Sequence, residues 1–266
     1  MACVEHTISV SIDPGVFRWT SASRSHAGLV REVNEDACLE QPERGLWAVA
    51  DGMGGHALGE FASRLAVRSL IDLPVPESLE QYVADARERL QGANRRLRAE
   101  AALRDVPIIG TTIAALLASG RRCACLWAGD SRIYLCRAGR LRLLTRDHSE
   151  IEEARSRRDA SVDDTLHRPA ANLITRALGA MDTLEVDDST IEVLDGDVFL
   201  LCSDGLSNEV SEVAIEQALL PGNCRHASQA LIDMALQRGG HDNITAVVVR
   251  ADDLHSPDRT VMHPVL

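Results

Sequence analysis

Leu46-Trp47-Ala48-Val49-Ala50-Asp51-Gly52-Met53-Gly54-Gly55-His56 is the stretch on which the reading of the fold turns. An apolar, partly β-branched run stops at an aspartate and a glycine-rich turn follows, so the run reads as a buried strand and the turn as its exit. A carboxylate there would sit where a core strand meets solvent, rigidly held and within reach of a ligand. The pattern recurs at Cys125-Leu126-Trp127-Ala128-Gly129-Asp130-Ser131 and at Val198-Phe199-Leu200-Leu201-Cys202-Ser203-Asp204-Gly205. A mirrored version, Gly239-Gly240-His241-Asp242-Asn243 ahead of Ile244 to Val249, puts an aspartate just before a strand. If the strands are neighbours, Asp51, Asp130, Asp204 and Asp242 converge, and converged carboxylates in a partly dry site repel one another unless protons or cations intervene. Oxygen ligands without thiolate or imidazole suit hard cations, Mg²⁺ or Mn²⁺, rather than zinc.

The rest of the chain narrows the class. With 266 residues, 45% hydrophobic and 26% charged, it can bury a substantial core as one large domain or two small ones. A net charge of -12 opposes nucleic acid as the main partner and opposes adsorption to an anionic membrane. The seven cysteines are odd in number, scattered through apolar runs and without a Cys-x-x-Cys pair, as in a cytosolic protein with reduced, buried thiols. Residues 1–15 lack the basic start and apolar core of a signal peptide. Ile108 to Ser119 is too short and too broken to span a bilayer, so the expected location is the cytoplasm.

Residues 1–15 read as a flexible arm, and Phe17 to Ala22 alternates as a strand. Residues 28–36 are loop-like and lead through a turn at Pro42 to Gly45 into the Trp47 strand. Ala57 to Leu70 has helical apolar spacing, and a second helix opens at a capping box, Ser78 and Gln81, with Tyr82, Ala86, Leu90, Ala93 and Leu97 on its buried face. Short β runs with glycine turns from 110 to 145 predict an antiparallel meander. Residues 147–179 are charged and irregular, the pattern of a functional flap, with one helix from Ser149 to Arg158. Two more strands, two amphipathic helices (Ser211 to Leu219, Arg225 to Gln237) and a last strand, Ile244 to Arg250, complete a single domain over 16–251, and 252–266 reads as a frayed tail. Helices gathered in pairs between β runs predict a layered α+β domain with antiparallel sheets.

Six motifs then stand in one order: Arg31-x-x-Asn34-Glu35-Asp36, Asp51-Gly52-Met53-Gly54-Gly55-His56, Gly110-Thr111-Thr112, Gly129-Asp130-Ser131-Arg132, Ser203-Asp204-Gly205 and Asp242-Asn243-Ile244-Thr245. This order resembles the bacterial branch of protein phosphatase 2C, the metal-dependent Ser/Thr phosphatases, from about Phe17 to Arg250. The resemblance implies a four-layer α-β-β-α sandwich, two antiparallel sheets flanked by helix pairs. It implies that Asp51 bridges two Mn²⁺ or Mg²⁺ ions, that the Gly52 carbonyl binds one of them, that Asp204 and Asp242 complete the second, and that Asp130 helps hold a weaker third ion. Glu35 and Asp36 would hold metal-bound waters and Arg31 would receive the substrate phosphate. Asn243 is structural, tying down the Asp242 loop. Gly110-Thr111-Thr112 has no catalytic role, and His148 and His167 read as polar surface residues of the flap.

The chemistry follows from charge. A phosphomonoester dianion is repelled by so acidic a chain unless cations screen it. Two divalent ions held about 3.5–4 Å apart can share a water, acidify it and aim it in line at phosphorus. Arg31 offers a planar fork to two phosphate oxygens. No phosphoenzyme is needed, and Cys202 reads as a buried strand residue. Met53 stands where animal relatives carry a histidine, which leaves the general acid open between His56, a metal-bound water and no dedicated acid. The expected function is hydrolysis of phosphoserine and phosphothreonine monoesters on proteins by a monomer that reverses a Ser/Thr kinase. Phe17 to Thr20 and Gly45 to Val49 further resemble the phosphatases paired with a kinase in type VI secretion clusters. The alternatives are an inactive phosphoprotein-binding scaffold of the same fold and a two-metal phosphodiesterase.

Overall fold

The computed structural model describes residues 9–12, 17–55, 57–74, 76–150, 152 and 174–255. The expectations for residues 1–8 and 13–16, for most of the 147–179 flap with His167, for His56 and for residues 256–266 therefore lie outside the described residues.

Among the described residues, twelve strands form two antiparallel sheets. One runs β1 (Ser9–Ile12), β2 (Phe17–His26), β12 (Ile244–Asp253), β11 (Val198–Cys202), β8 (Arg132–Arg137), β9 (Arg140–Leu143). The other runs β10 (Asp187–Glu192), β7 (Arg122–Ala128), β6 (Ile113–Ser119), β4 (Leu46–Met53), β3 (Asp36–Gln41), with the short β5 (Gly110–Thr111) beside β4. Helices α1 (Ala57–Leu70) and α2 (Leu79–Leu103) cover the second sheet. The turn α3 (Asp204–Ser207), with α4 (Glu212–Leu219) and α5 (Cys224–Gln237), covers the first. The result is the four-layer α-β-β-α sandwich.

Strand β4 shows why its sequence is a near-continuous apolar run. Leu46, Ala48 and Ala50 pack toward the helices, while Trp47 and Val49 pack between the sheets. A strand buried on both faces needs apolar residues at every position. Trp47 meets Trp19 of β2 across the inter-sheet layer, ring centroids 5.2 Å apart. The same period of two carries the face onward, so Asp51 emerges on the inter-sheet side after Trp47 and Val49.

Helix α1 occupies the predicted span. Ser78 caps α2 by accepting from the Gln81 N–H at 3.1 Å, but the Gln81 side chain donates to Asp85 rather than back to the cap, so half of the capping box forms.

Four expectations are corrected. Asp51 is not at a strand exit: β4 continues through Met53 because Gly52 and Met53 pair with Thr111 and Gly110. The β runs of 110–145 are not one meander, because β7 and β8 lie in different sheets and Gly129-Asp130-Ser131 crosses between them. Within the supposed arm, Ser9–Ile12 pairs with Arg18–Ser21 of β2 as an edge strand. Strand β12 reaches Asp253, whose N–H donates to Asp195 and whose carboxylate pairs with Arg121, so the first two residues of the expected tail belong to the sheet.

The described cysteines are all free, and five of the six are buried. Glu40, on β3 opposite Trp47, carries a buried oxygen without a donor. Burial, and then Glu43, push its carboxyl from the ordinary 4.5 up to about 7 despite a hydrogen bond from Ser23. A carboxyl raised on folding favours the native state only while protonated, so this stability is complete below about pH 4.5 and is lost as pH rises through about 7. Glu40→Gln is expected to remove that loss. Its thermal midpoint, relative to the parent, should rise between pH 5 and pH 8, and a pH-independent difference would contradict the assignment.

Candidate functional site

The strand ends bring the predicted acids to one mouth between the sheets. Asp36 begins β3 and lies directly opposite Asp51 of β4 in the cross-strand register. Asp204 follows β11 as the first residue of α3, Asp242 precedes β12, and β11 and β12 are adjacent. Asp130 arrives from β7 as the chain changes sheet. The carboxylates feel one another. Burial first, and then the charges of Asp36, Asp204, Asp130 and Asp242, push the Asp51 carboxyl well above the usual carboxylate range. Burial also raises Asp36 to about 7, with Asp204 and Asp242 adding to the shift. Asp130 rises to about 7 for the same first reason, with Asp204 and Asp147 next. Asp204 is raised by burial and by Asp242, and a hydrogen bond to Asp51 offsets part of that.

Each acid is held by its own set of donors. The Asp51 N–H donates to Thr112 Oγ1 at 2.9 Å, and its carbonyl accepts from Thr112 N–H and from Thr111 Oγ1 at 2.9 and 2.8 Å. Thr112 Oγ1 in turn touches Ser131 Oγ at 2.8 Å. The Gly110-Thr111-Thr112 motif is therefore a clamp on the Asp51 backbone. Ser203 Oγ donates to Asp36 Oδ2 at 2.7 Å while accepting the Thr245 N–H at 2.9 Å. Ser203 and Thr245 escaped notice as orienting groups, although both lie inside quoted motifs, because hydroxyl partners are not visible in spacing.

Gly52 is buried on the helix-facing side of β4, where a Cβ would collide with the Gly59 carbonyl of α1 and the Glu35 carbonyl. The absent side chain lets α1 start directly against the strand. The Gly52 N–H donates to the Glu35 carbonyl at 3.2 Å. The Glu35 side chain packs beside Gly59.

Asn243 is buried and ties down the 27–35 loop. Its Oδ1 accepts the Glu35 N–H at 2.8 Å, and its Nδ2 donates to the Ala27 and Val33 carbonyls at 3.0 and 2.9 Å. That loop carries Arg31, whose guanidinium forks onto both oxygens of Asp242 at 3.0 and 2.8 Å. Arg31 is more than half exposed, so it stands at the rim of the acidic mouth. Met53 packs against Gly110 and brings no proton donor.

His148 departs from expectation. It is a buried residue, not a surface one. It stacks on Trp127 and bonds to Gly129 and Asp187.

The residues present fit divalent cations. Asp36 Oδ1 and Asp130 Oδ1 are buried acceptors that receive no hydrogen bond, which costs free energy unless a cation or its water serves them. Among the described residues, no three His, Cys, Asp or Glu side chains close round one point as a complete cage. Mg²⁺ and Mn²⁺ do not require one, since they keep several waters and use few carboxylates.

Comparison with known proteins agrees with this architecture. A protein-family model described as protein phosphatase 2C matches residues 22–237. The chain belongs to the protein phosphatase 2C family. It is 36% identical over 233 residues to the serine/threonine protein phosphatase PstP of Mycobacterium tuberculosis, covering 87% of this chain and 45% of that protein. The chain thus spans less than half the length of that relative. It is 35% identical to the serine/threonine phosphatase stp of Listeria monocytogenes, covering 86% of this chain and 94% of the relative.

Among solved family structures, PppA, a key regulatory component of T6SS in Pseudomonas aeruginosa, superposes with a TM-score of 0.82 at 46% identity, over 88% of this chain and 97% of that one. The catalytic domain of PstP in complex with two manganese ions superposes with a TM-score of 0.77 at 36% identity, over 90% and 99%.

Proposed function

We propose that this phosphatase-2C chain is a metal-dependent protein phosphatase that hydrolyses phosphoserine and phosphothreonine monoesters on proteins, reversing a Ser/Thr kinase. The observation that carries the reading is the meeting of Asp36, Asp51, Asp130, Asp204 and Asp242, from both sheets, at one mouth with an arginine on its rim. Asp51, the Gly52 carbonyl, Asp204 and Asp242 would hold two Mn²⁺ or Mg²⁺ ions, with Asp130 serving a third. Bound there, such ions would supply positive charge for the phosphate and acidify a water for attack.

The chain's own residues do the rest. Thr111 and Thr112 fix the Asp51 backbone, and Ser203 orients Asp36. Asn243 holds the loop that presents Arg31, a fork whose donors match two phosphate oxygens. A thiol nucleophile is disfavoured: burial pushes Cys202, next to the Ser203-Asp204 turn, up to about 12, so it stays protonated at neutral pH.

Likeness to PppA, a regulatory component of T6SS, supports a place beside type VI secretion, and the reading further assigns a phosphothreonine protein as substrate and a cognate kinase as partner. No helix among the described residues is long and apolar enough to cross a membrane. The reading places the enzyme in the cytoplasm as a monomer.

Release of phosphate from phosphothreonine peptides across a metal series tests the reading. Hydrolysis that needs Mn²⁺ or Mg²⁺ is expected, and strong preference for a phosphodiester would overturn it. Arg31→Ala is expected to raise KM about tenfold, since one charge-assisted contact is worth roughly 1.5–3 kcal/mol and serves ground and transition states alike. A loss confined to kcat would refute the phosphate-binding role.

A further inference from the structure

Outside the acids and Arg31, His148 is a buried side chain near the mouth with both ring nitrogens bonded. Both backbone groups of Gly129 are satisfied by this one residue. The Gly129 N–H donates to His148 Nδ1 at 3.1 Å, and the Gly129 carbonyl accepts the His148 N–H at 2.9 Å. The ring lies flat on Trp127, 14° from parallel with centroids 6.2 Å apart, and the Trp127 indole N–H is anchored on the Arg146 carbonyl at 2.8 Å. On its other edge Nε2 lies 3.1 Å from Asp187 Oδ2, while Asp187 Oδ1 accepts from Arg176 at 3.0 Å. The His148 carbonyl accepts the Thr175 N–H at 2.8 Å.

The donors settle the tautomer. A backbone N–H can only donate, so Nδ1 presents its lone pair to Gly129 and the proton sits on Nε2, facing the Asp187 carboxylate. A carboxylate that accepts one ring N–H of an imidazole fixes its tautomer and its orientation.

The held glycine matters because of where it is. Gly129 precedes Asp130 in the three-residue crossing from β7 to β8, which belong to different sheets. It adopts φ +114, and a Cβ there would meet Thr112 Cγ2 at 2.6 Å. Glycine is required by this close approach, and glycine also permits rotation that other residues resist. Bonds from His148 therefore have to supply the stiffness. Downstream, Asp130 Oδ1 is a buried acceptor without a donor, and the carboxylate is hydrogen-bonded by the Asp130 backbone, so its direction follows that backbone.

We propose that His148 is a positioning residue: with Nδ1 on the Gly129 N–H and its own backbone N–H on the Gly129 carbonyl it fixes both peptides that flank Gly129, and so aims the Asp130 carboxylate into the acidic mouth, where it contributes to divalent-cation affinity. This rests on the metal-dependent reading above. Asp187 acts behind it by keeping the proton on Nε2.

Two near-isosteric variants separate the two edges of the ring. In His148→Asn the amide oxygen can take the place of Nδ1, whereas in His148→Gln the amide nitrogen takes the place of Nε2 and leaves Gly129 without its acceptor. The full chain would be studied metal-free by hydrogen exchange of the Gly129 amide and, with added Mn²⁺, by counting free ion from its EPR signal. His148→Asn is expected to keep the Gly129 amide protected and Mn²⁺ affinity near that of the parent. His148→Gln is expected to lose the protection and to weaken Mn²⁺ binding by about tenfold, the scale of lost outer-shell support. Asp130→Asn should remove the same affinity, and adding His148→Gln to it should change little further.

If His148→Gln binds Mn²⁺ like the parent, or if both variants lose thermal stability alike with Mn²⁺ binding untouched, His148 is only a stitch in the fold and the proposal fails. Fully additive effects of His148→Gln and Asp130→Asn would also overturn it. Absence of metal-dependent hydrolysis in the parent would sink the phosphatase reading instead, while Gly129 protection would still report on the His148 contact.

Discussion

Asp51→Asn is expected to abolish Mn²⁺-dependent hydrolysis, by on the order of 10³-fold or more, equivalent to roughly 4 kcal/mol of barrier, while making the metal-free protein more stable at pH 8. The two effects share one cause. Asp51 is surrounded by Asp36, Asp204, Asp130 and Asp242, and its carboxyl is raised well above the usual range by burial and by those charges. A group raised on folding supports the native state while protonated and loses that support as pH climbs past the folded value. At pH 8 without cations the cluster is therefore a source of strain, and an amide in place of the central carboxylate relieves it. Cations offset the same repulsion in the parent, so Mn²⁺ should raise the parent's thermal midpoint more than the variant's.

Asp204→Asn should behave likewise, as its carboxyl is raised by burial and Asp242 while bonded to Asp51. Calorimetry of the metal-free proteins at pH 5 and pH 8, beside phosphate-release rates with Mn²⁺, checks both halves. Near-normal turnover in either variant would remove Asp51 or Asp204 from the metal site. A variant less stable than the parent at pH 8 would mean that the repulsion is not the dominant local term.

Asn243→Ala should be the most damaging change that touches no metal ligand. Its side chain makes three hydrogen bonds to backbone groups of residues 27, 33 and 35, and it is only 4% exposed. Removing it strands one N–H and two carbonyls, with an expected cost of about 2–4 kcal/mol, since each buried group left unpaired costs roughly 1–3 kcal/mol and some will find water. The loop it releases carries Arg31, so kcat/KM should fall as well. Asn243→Asp is the sharper probe. It keeps the acceptor for the Glu35 N–H but turns a carboxylate toward two carbonyls and adds charge beside Asp36 and Asp242. It should be at least as destabilising as alanine in urea denaturation. If aspartate is tolerated and alanine is not, the single bond to Glu35 carries the effect and the two carbonyl contacts are dispensable.

Much of the architecture was legible without coordinates because its signals are local. The 3.6-residue spacing in 57–70 marks α1 to the residue, and Ser78 announces the start of α2. The acids beside glycine at strand boundaries point to the site, and their order along the chain points to the phosphatase 2C family. The errors share a different origin. Glycines between 110 and 145 look alike whether they reverse a hairpin or pass from one sheet to the other, so the sequence does not distinguish the crossing at Gly129 from a turn. Gly52 and Met53 look like a loop because glycine-rich residues follow, yet Thr111 and Gly110, more than fifty positions away, extend the strand through them.

What the sequence determined by itself is the set of parts: which segments alternate with period two or 3.6, which acids stand at their ends, and which family those motifs resemble. Tertiary structure alone decided the pairing of parts. It set Asp36 opposite Asp51, joined Arg31 to Asp242 across 211 positions, clamped Asp51 with Thr111 and Thr112, and buried His148 between Trp127, Gly129 and Asp187. Periodicity is a property of neighbouring residues and can be read along the chain. A hydrogen bond between distant residues depends on which strand edges meet, and that is settled only when the whole core packs.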